Sequence, residues 1–123
     1  MKDIKTIEDF KSAAAEEVLE NSNEKNTGVY IHTFQRPFKY EGKQYQTLTF
    51  HFDALTGRDM ISIESEMQAL NEYAIAPEIS RSFQAKMAAR AAGIASDVLE
   101  AMPLVEFNRI ANAARDFLTN TGY

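Results

Sequence analysis

The residues best suited to chemistry near neutral pH are the chain's two histidines, His32 and His51, since imidazole alone titrates there without perturbation. His51-Phe52-Asp53 sets an imidazole and a carboxylate two residues apart, which in an extended strand is one face. A zinc centre needs three or four such donors, and acid–base catalysis needs a proton to move within reach of the ring. His32, His51 and Asp53 lack a convincing third and fourth ligand, so two strand histidines and no metal or cofactor are expected. Nucleophilic catalysis has no carrier, because the sequence contains neither cysteine nor a G-x-S-x-G elbow. The carboxylate pairs Glu16/Glu17 and Glu64/Glu66 point to different sides at helical spacing and are expected on solvated faces. Gly57 and Gly93 stand singly at helix ends, where capping accounts for them better than phosphate binding does. This inventory points away from an enzyme.

Binding is the remaining chemistry. Arg58, Arg81, Lys86 and Arg90 place positive charge on helical segments against an acidic background, and they are the candidate partner-binding residues. Lys86 and Arg90 share a face by their four-residue spacing, which suits either an acidic partner or a solvated surface. Met60, Met67, Met87 and Met102 fall on apolar faces, where methionine fills a core or adapts to a partner.

These side chains need a scaffold, and 123 residues make one domain of ordinary size. Eighteen acidic residues against thirteen basic ones give a net charge of −5, the sign that repels phosphate backbones. Nucleic-acid binding, including a small DNA-reading regulator, is therefore disfavoured. No stretch approaches the run of about 20 apolar residues that a membrane span requires, and no apolar leader is expected at the N-terminus. With no cysteine in the chain, a reducing compartment is allowed.

In the opening segment Ile7, Phe10, Ala14 and Val18 recur at steps of three and four, predicting an amphipathic helix over residues 6–20 with Thr6 and Asp9 as a capping box. Residues 21–28 are a polar run of turn formers and read as a linker. The period then changes to two: Tyr30, His32 and Phe34 share one face, as do Leu48, Phe50 and Phe52, and Glu41-Gly42-Lys43 supplies a turn between them. Pro37 marks an edge or a bulge in the first arm. From Thr56 onward the chain reads as helices: one carrying Met60, Ile63, Met67 and Leu70 and ending near Tyr73, one begun by Pro77 with the stripe Ile79, Phe83, Met87 and Ala91, a short turn after Ser96, and a last helix opened by Pro103. The prediction is an α+β fold, an N-terminal helix and β-hairpin followed by three to four helices. Residues 1–27 form helix and linker, and residues 28–123 a single domain with its hairpin over 29–53 and helices over 57–119. Phe83, Met87, Phe107 and Phe117 are the expected core.

The order of the local motifs carries a further signal. Arg36-Pro37-Phe38, Glu41-Gly42-Lys43-Gln44-Tyr45, Leu48-Thr49-Phe50 and Leu55-Thr56-Gly57-Arg58-Asp59 are followed by Ile63-Glu64-Ser65-Glu66, Pro77-Glu78-Ile79-Ser80, Ala88-Ala89-Arg90-Ala91-Ala92-Gly93 and Leu99-Glu100-Ala101-Met102-Pro103, and then by a last helix from Phe107 to Leu118. Across Phe34 to Leu118 this succession resembles the tail assembly chaperones of long-tailed bacteriophages and prophages, in particular those of Mu-like and other contractile-tailed phages. Met102 stands where that pattern has leucine, a volume-conserving exchange. The resemblance implies a non-catalytic protein of the host cytoplasm that binds the tape measure protein, keeps it soluble and helps tail tube subunits polymerise around it. Self-association is a further expectation. A small structural tail or virion component of the completion or connector type is the alternative.

Overall fold

The computed structural model describes residues 28–72 and 76–121. The expected N-terminal helix and most of its linker lie outside the described residues.

Alternating apolar residues form the two long strands, β1 (Val29–Tyr40) and β2 (Lys43–His51), which pair antiparallel. Tyr40 pairs with Lys43, leaving Glu41 and Gly42 as a two-residue turn with φ of 49° and 79°. Positive φ at both positions is the turn geometry that matches strand twist, and glycine adopts it without a Cβ clash. Register is kept from Val29↔His51 to Thr33↔Thr47 and resumes at Phe38↔Tyr45. Phe34 to Pro37 therefore face Gln46 alone, and the bulge falls where proline cannot donate to a ladder.

Past a 3-10 turn at Phe52–Ala54 come α1 (Gly57–Ala69), a second 3-10 turn at Pro77–Ile79, α2 (Arg81–Ala92), α3 (Ser96–Glu100) and α4 (Leu104–Asn120). The architecture is α+β: a hairpin followed by four α-helices among the described residues. None of these helices is long and apolar enough to cross a membrane.

Helix α2 occupies the centre, in contact with α1, α3, α4 and β2. Every residue from Phe83 to Ala89 is buried, so this helix is enclosed on nearly all sides. Alanines at 85, 88 and 89 make that possible, because a methyl group lets neighbouring backbones approach closely. Around it pack Phe34 and Phe50 from the hairpin, Phe52 from the 3-10 turn after it, Ile63 and Met67 from α1, Leu99 from α3, Met102 from the turn that follows, and Ile110, Ala114 and Leu118 from α4. A two-stranded hairpin is marginal alone, and this helical layer is what its apolar face requires.

The expected elements shift in four places. Helix α1 ends at Ala69, short of Tyr73, which lies outside the described residues, and Leu70 is exposed. Pro77 opens a 3-10 turn, while α2 starts after Ser80, whose hydroxyl accepts the Phe83 N–H at 3.2 Å. Ile79 consequently leaves the α2 stripe and is 79% exposed. Phe83 and Met87 are core residues as expected, but Phe107 and Phe117 are only partly buried and flank the core. The line of α4 that faces inward runs through Glu106, Ile110, Ala114 and Leu118, and positions 107 and 117 fall to its sides.

Candidate functional site

Among the described residues, two places bring together groups capable of chemistry or recognition: a buried polar network between β1 and α4, and an apolar cleft between α1 and the C-terminal end of α4.

The network starts from the inward face of β1. His32 is fully buried, and its Nε2 lies 2.7 Å from Glu106 Oε1, itself almost fully buried. The Gln35 N–H, released from the ladder by the bulge, donates to Glu106 Oε2 at 3.0 Å. A carboxylate only accepts, so Nε2 carries the imidazole proton, and Nδ1 is left to accept from the Tyr30 hydroxyl at 2.9 Å. Arg109, one turn along α4, stands 3.9 Å from Glu106 Oε1 and offsets its charge. The ring of Phe34 meets His32 edge-on at 4.7 Å between centroids.

Electrostatics keeps this array in one protonation state. Burial pushes the His32 pKa down, opposed by its hydrogen bond to Glu106 and assisted by the Arg109 charge. Burial also raises the Tyr30 pKa, so its hydroxyl stays protonated and donates. Hydroxyl, imidazole and carboxylate in a row are the parts of a proton relay. Here both ring nitrogens are engaged and no edge of the ring reaches solvent, so what the array does as it stands is join the hairpin to the last helix. A lowered folded-state pKa fixes the sign of the pH dependence. The unfolded imidazole titrates near 6.5, so below that value the unfolded chain binds the extra proton first. The His32 contribution is present above the unfolded pKa and is lost as pH falls toward the folded one. Denaturant midpoints measured from pH 7.5 down to 5.5 should drop more in the wild type than in His32→Gln; equal slopes, or a steeper one in the variant, would contradict the assignment.

His51 and Asp53 are exposed and do not join this network. Among the described residues, no three His, Cys, Asp or Glu side chains are grouped to hold a metal ion.

The four basic candidates separate. Lys86 is buried, contrary to the surface position its charge implied: its aliphatic stem lies in the core and its Nζ reaches Glu66 of α1 at 3.4 Å. Arg90 Nη1 donates to Asp59 Oδ1 at 3.0 Å. Asp59 also accepts the Thr56 N–H at 2.8 Å and the Thr56 hydroxyl at 3.2 Å, and these bonds with Arg90 hold its pKa below the usual carboxylate range. Lys86 and Arg90 thus fasten α2 to α1. Arg81 donates to Gln84 Oε1 at 2.8 Å and to Asn112 Oδ1 at 3.0 Å, linking α2 to α4. Buried Gln84 in turn donates to the Glu78 carbonyl at 2.8 Å and secures the turn before α2. Arg58 alone of the four is exposed without a hydrogen bond or ion pair among the described residues.

The cleft is a concave apolar surface that no sequence motif marked. It measures about 250 Å³ and is walled by Leu55, Met60, Ile63, Met87, Phe117 and Leu118, with Phe83 at its base and Thr56, Asp59 and Thr121 on its polar rim. Methionine on two walls gives a surface that reshapes around an apolar side chain. Gly28 packs on one of the wall residues, Phe117: a Cβ there would come within 2.8 Å of Asp53 Cβ and 3.1 Å of Phe117 Cε1, and its φ of 79° suits glycine alone. Compared with protein-family models, curated proteins and solved structures, the chain shows no significant match to any of them.

Proposed function

We propose that this protein is a non-catalytic tail assembly chaperone of a phage or prophage, acting in the host cytoplasm, that binds the tape measure protein and assists tail tube assembly. The motif succession from Phe34 to Leu118 supplies the family reading. The observation that supports binding is the open apolar cleft with its methionine walls beside the N-terminus of α1. A long client with exposed apolar helical faces needs side-chain-sized pockets offered by many small copies, each of modest affinity so that tube subunits displace them. Exposed Ile61 and half-buried Met60, adjacent on α1, widen the apolar ground around the cleft.

The test is co-expression with the tape measure protein from the same gene cluster. Wild type should raise the soluble fraction of that protein several-fold and co-purify with it, while Met60→Glu, which places a charge in the cleft wall, should lose both effects. Complexes that survive in finished tails at fixed stoichiometry would favour the structural-component alternative. A tape measure protein that is equally soluble alone would remove the chaperone reading. Arg90→Glu is unsuited to this purpose, because it sets a carboxylate against Asp59 and loosens α1 from α2.

A further inference from the structure

We propose that the free margin of β2 is a self-recognition edge: two copies of the chain pair antiparallel through Lys43–His51 about a two-fold axis at Thr47, joining their hairpins into one sheet. Among the described residues the sheet has two strands, so the side of β2 away from β1 meets no further strand. Lys43 to His51 make no backbone hydrogen bond there outside the ladder with β1. Alternate peptide groups of such a strand point outward, and unpaired they are a template for another strand. An open groove of about 530 Å³ is lined by the six consecutive residues Lys43 to Leu48 and by no other element. Successive side chains point to opposite faces of a strand, so a groove that touches all six follows the edge.

The composition of the strand fits a second copy. Between Lys43 and His51 stand seven residues with neither a formal charge nor a proline, the devices that protect an edge from pairing. A two-fold contact is isologous, so each pairing of one residue with another occurs twice. An axis between two residues would set inward side chains opposite outward ones, which the alternation of faces excludes. Of the axes that pass through a residue, the one at Thr47, the midpoint of the strand, engages all nine residues. Thr47 then meets Thr47, Tyr45 meets Thr49 and Gln46 meets Leu48 of the second copy. Threonine pairs and aromatic pairs with β-branched residues are stabilising cross-strand combinations. At the ends Lys43 meets His51, so at pH 7 no formal charge faces another of like sign.

The solvent face of the hairpin matches as well. Thr47 and its ladder partner Thr33 are both exposed, as are Thr49 and its partner Ile31. Pairing at Thr47 sets Thr33, Thr47, Thr47 and Thr33 in one row across four strands, a continuous β-branched surface where each hairpin alone offers half. A foreign strand could use the same amides, but it would have to supply this uncharged pattern, which a second copy does by symmetry. The inference goes beyond the chaperone reading and its experiment contains no client, so the two fail independently.

Sedimentation velocity on the full chain from about 10 μM to about 1 mM tests it. The wild type should pass from monomer to dimer as concentration rises. Thr47→Lys sets two like charges face to face on the axis and should move the midpoint of that transition upward by about tenfold or more, as should Thr47→Glu. An equimolar mixture of the two variants should recover the wild-type transition, because opposite charges then meet on the axis. Thr33→Lys puts the same charge on the same face one strand away and should leave the transition unchanged. Amide hydrogen exchange of the wild type needs no substitution: outward amides of β2 should slow as concentration rises, while those of α1 should not. A monomer throughout the range, a dimer as sensitive to Thr33→Lys as to Thr47→Lys, a mixture no better than either variant alone, or β2 exchange indifferent to concentration would each overturn the proposal.

Discussion

Replacing Phe50 with alanine is expected to lower the unfolding free energy by about 3–5 kcal/mol. Its ring is fully buried, lies 5.9 Å from Tyr30 and 6.1 Å from Phe52 between centroids, and Phe52 continues the row to Phe117 at 5.6 Å. The residue sits on β2, which faces α2, so its removal opens a void between the two layers at a point where backbone on both sides is held by hydrogen bonds. Such a site collapses poorly, which places the cost in the upper part of the range for large-to-small changes. A domain of this size has about 5–15 kcal/mol in total, so the variant should be close to half unfolded at moderate denaturant. Urea or guanidinium melts decide it, and a loss below about 1 kcal/mol would mean that β2 does not seat on α2 as described.

Glu106→Ala is the second large effect, at roughly 3 kcal/mol, because it strands the buried His32 Nε2–H and the partly buried Gln35 N–H at once. Packing alone would predict much less for a side chain of this size. A double-mutant cycle with His32→Ala separates the two accounts. If the network is the cause, the double variant should be less unstable than the sum of the singles by about 1–2 kcal/mol. Additivity within about 0.5 kcal/mol would assign the loss to packing instead.

The alternation in β1 and β2, the Glu41-Gly42 turn and the proline bulge were all legible in the sequence, since each follows from a local rule of two-residue period or restricted φ. Helix α4 was legible as a helix, but its inward direction was not. The apolar residues at 107, 110, 111, 114, 117 and 118 spread over a wide arc, and the choice of centre depends on whether Glu106 is counted as a core position. A carboxylate on the 106–110–114–118 line, facing a histidine on the inward face of β1, was the available signal for the buried network. Charge by itself marks the surface, and only the pairing of that carboxylate with a buried donor distinguishes a core position. Lys86 is a second instance. Helix α2 is buried from Phe83 to Ala89, so it has no polar face from which exposure of a lysine could be inferred. The cleft had no sequence signal at all, because its walls come from three separate stretches of the chain between Leu55 and Thr121.

The bulge in β1 also governs how far the sheet can be extended. An added strand needs an unbroken series of outward amides and carbonyls, and along β1 that series is interrupted at Phe34–Pro37, where proline has no amide hydrogen and Gln35 has turned its own toward Glu106. Strand β2 has no such interruption from Lys43 to His51. The hairpin therefore has one adhesive margin and one blunt one. Two copies meeting through β2 would bring their adhesive margins together and present only blunt ones outward. Edge-to-edge growth through β2 then stops at a four-stranded pair.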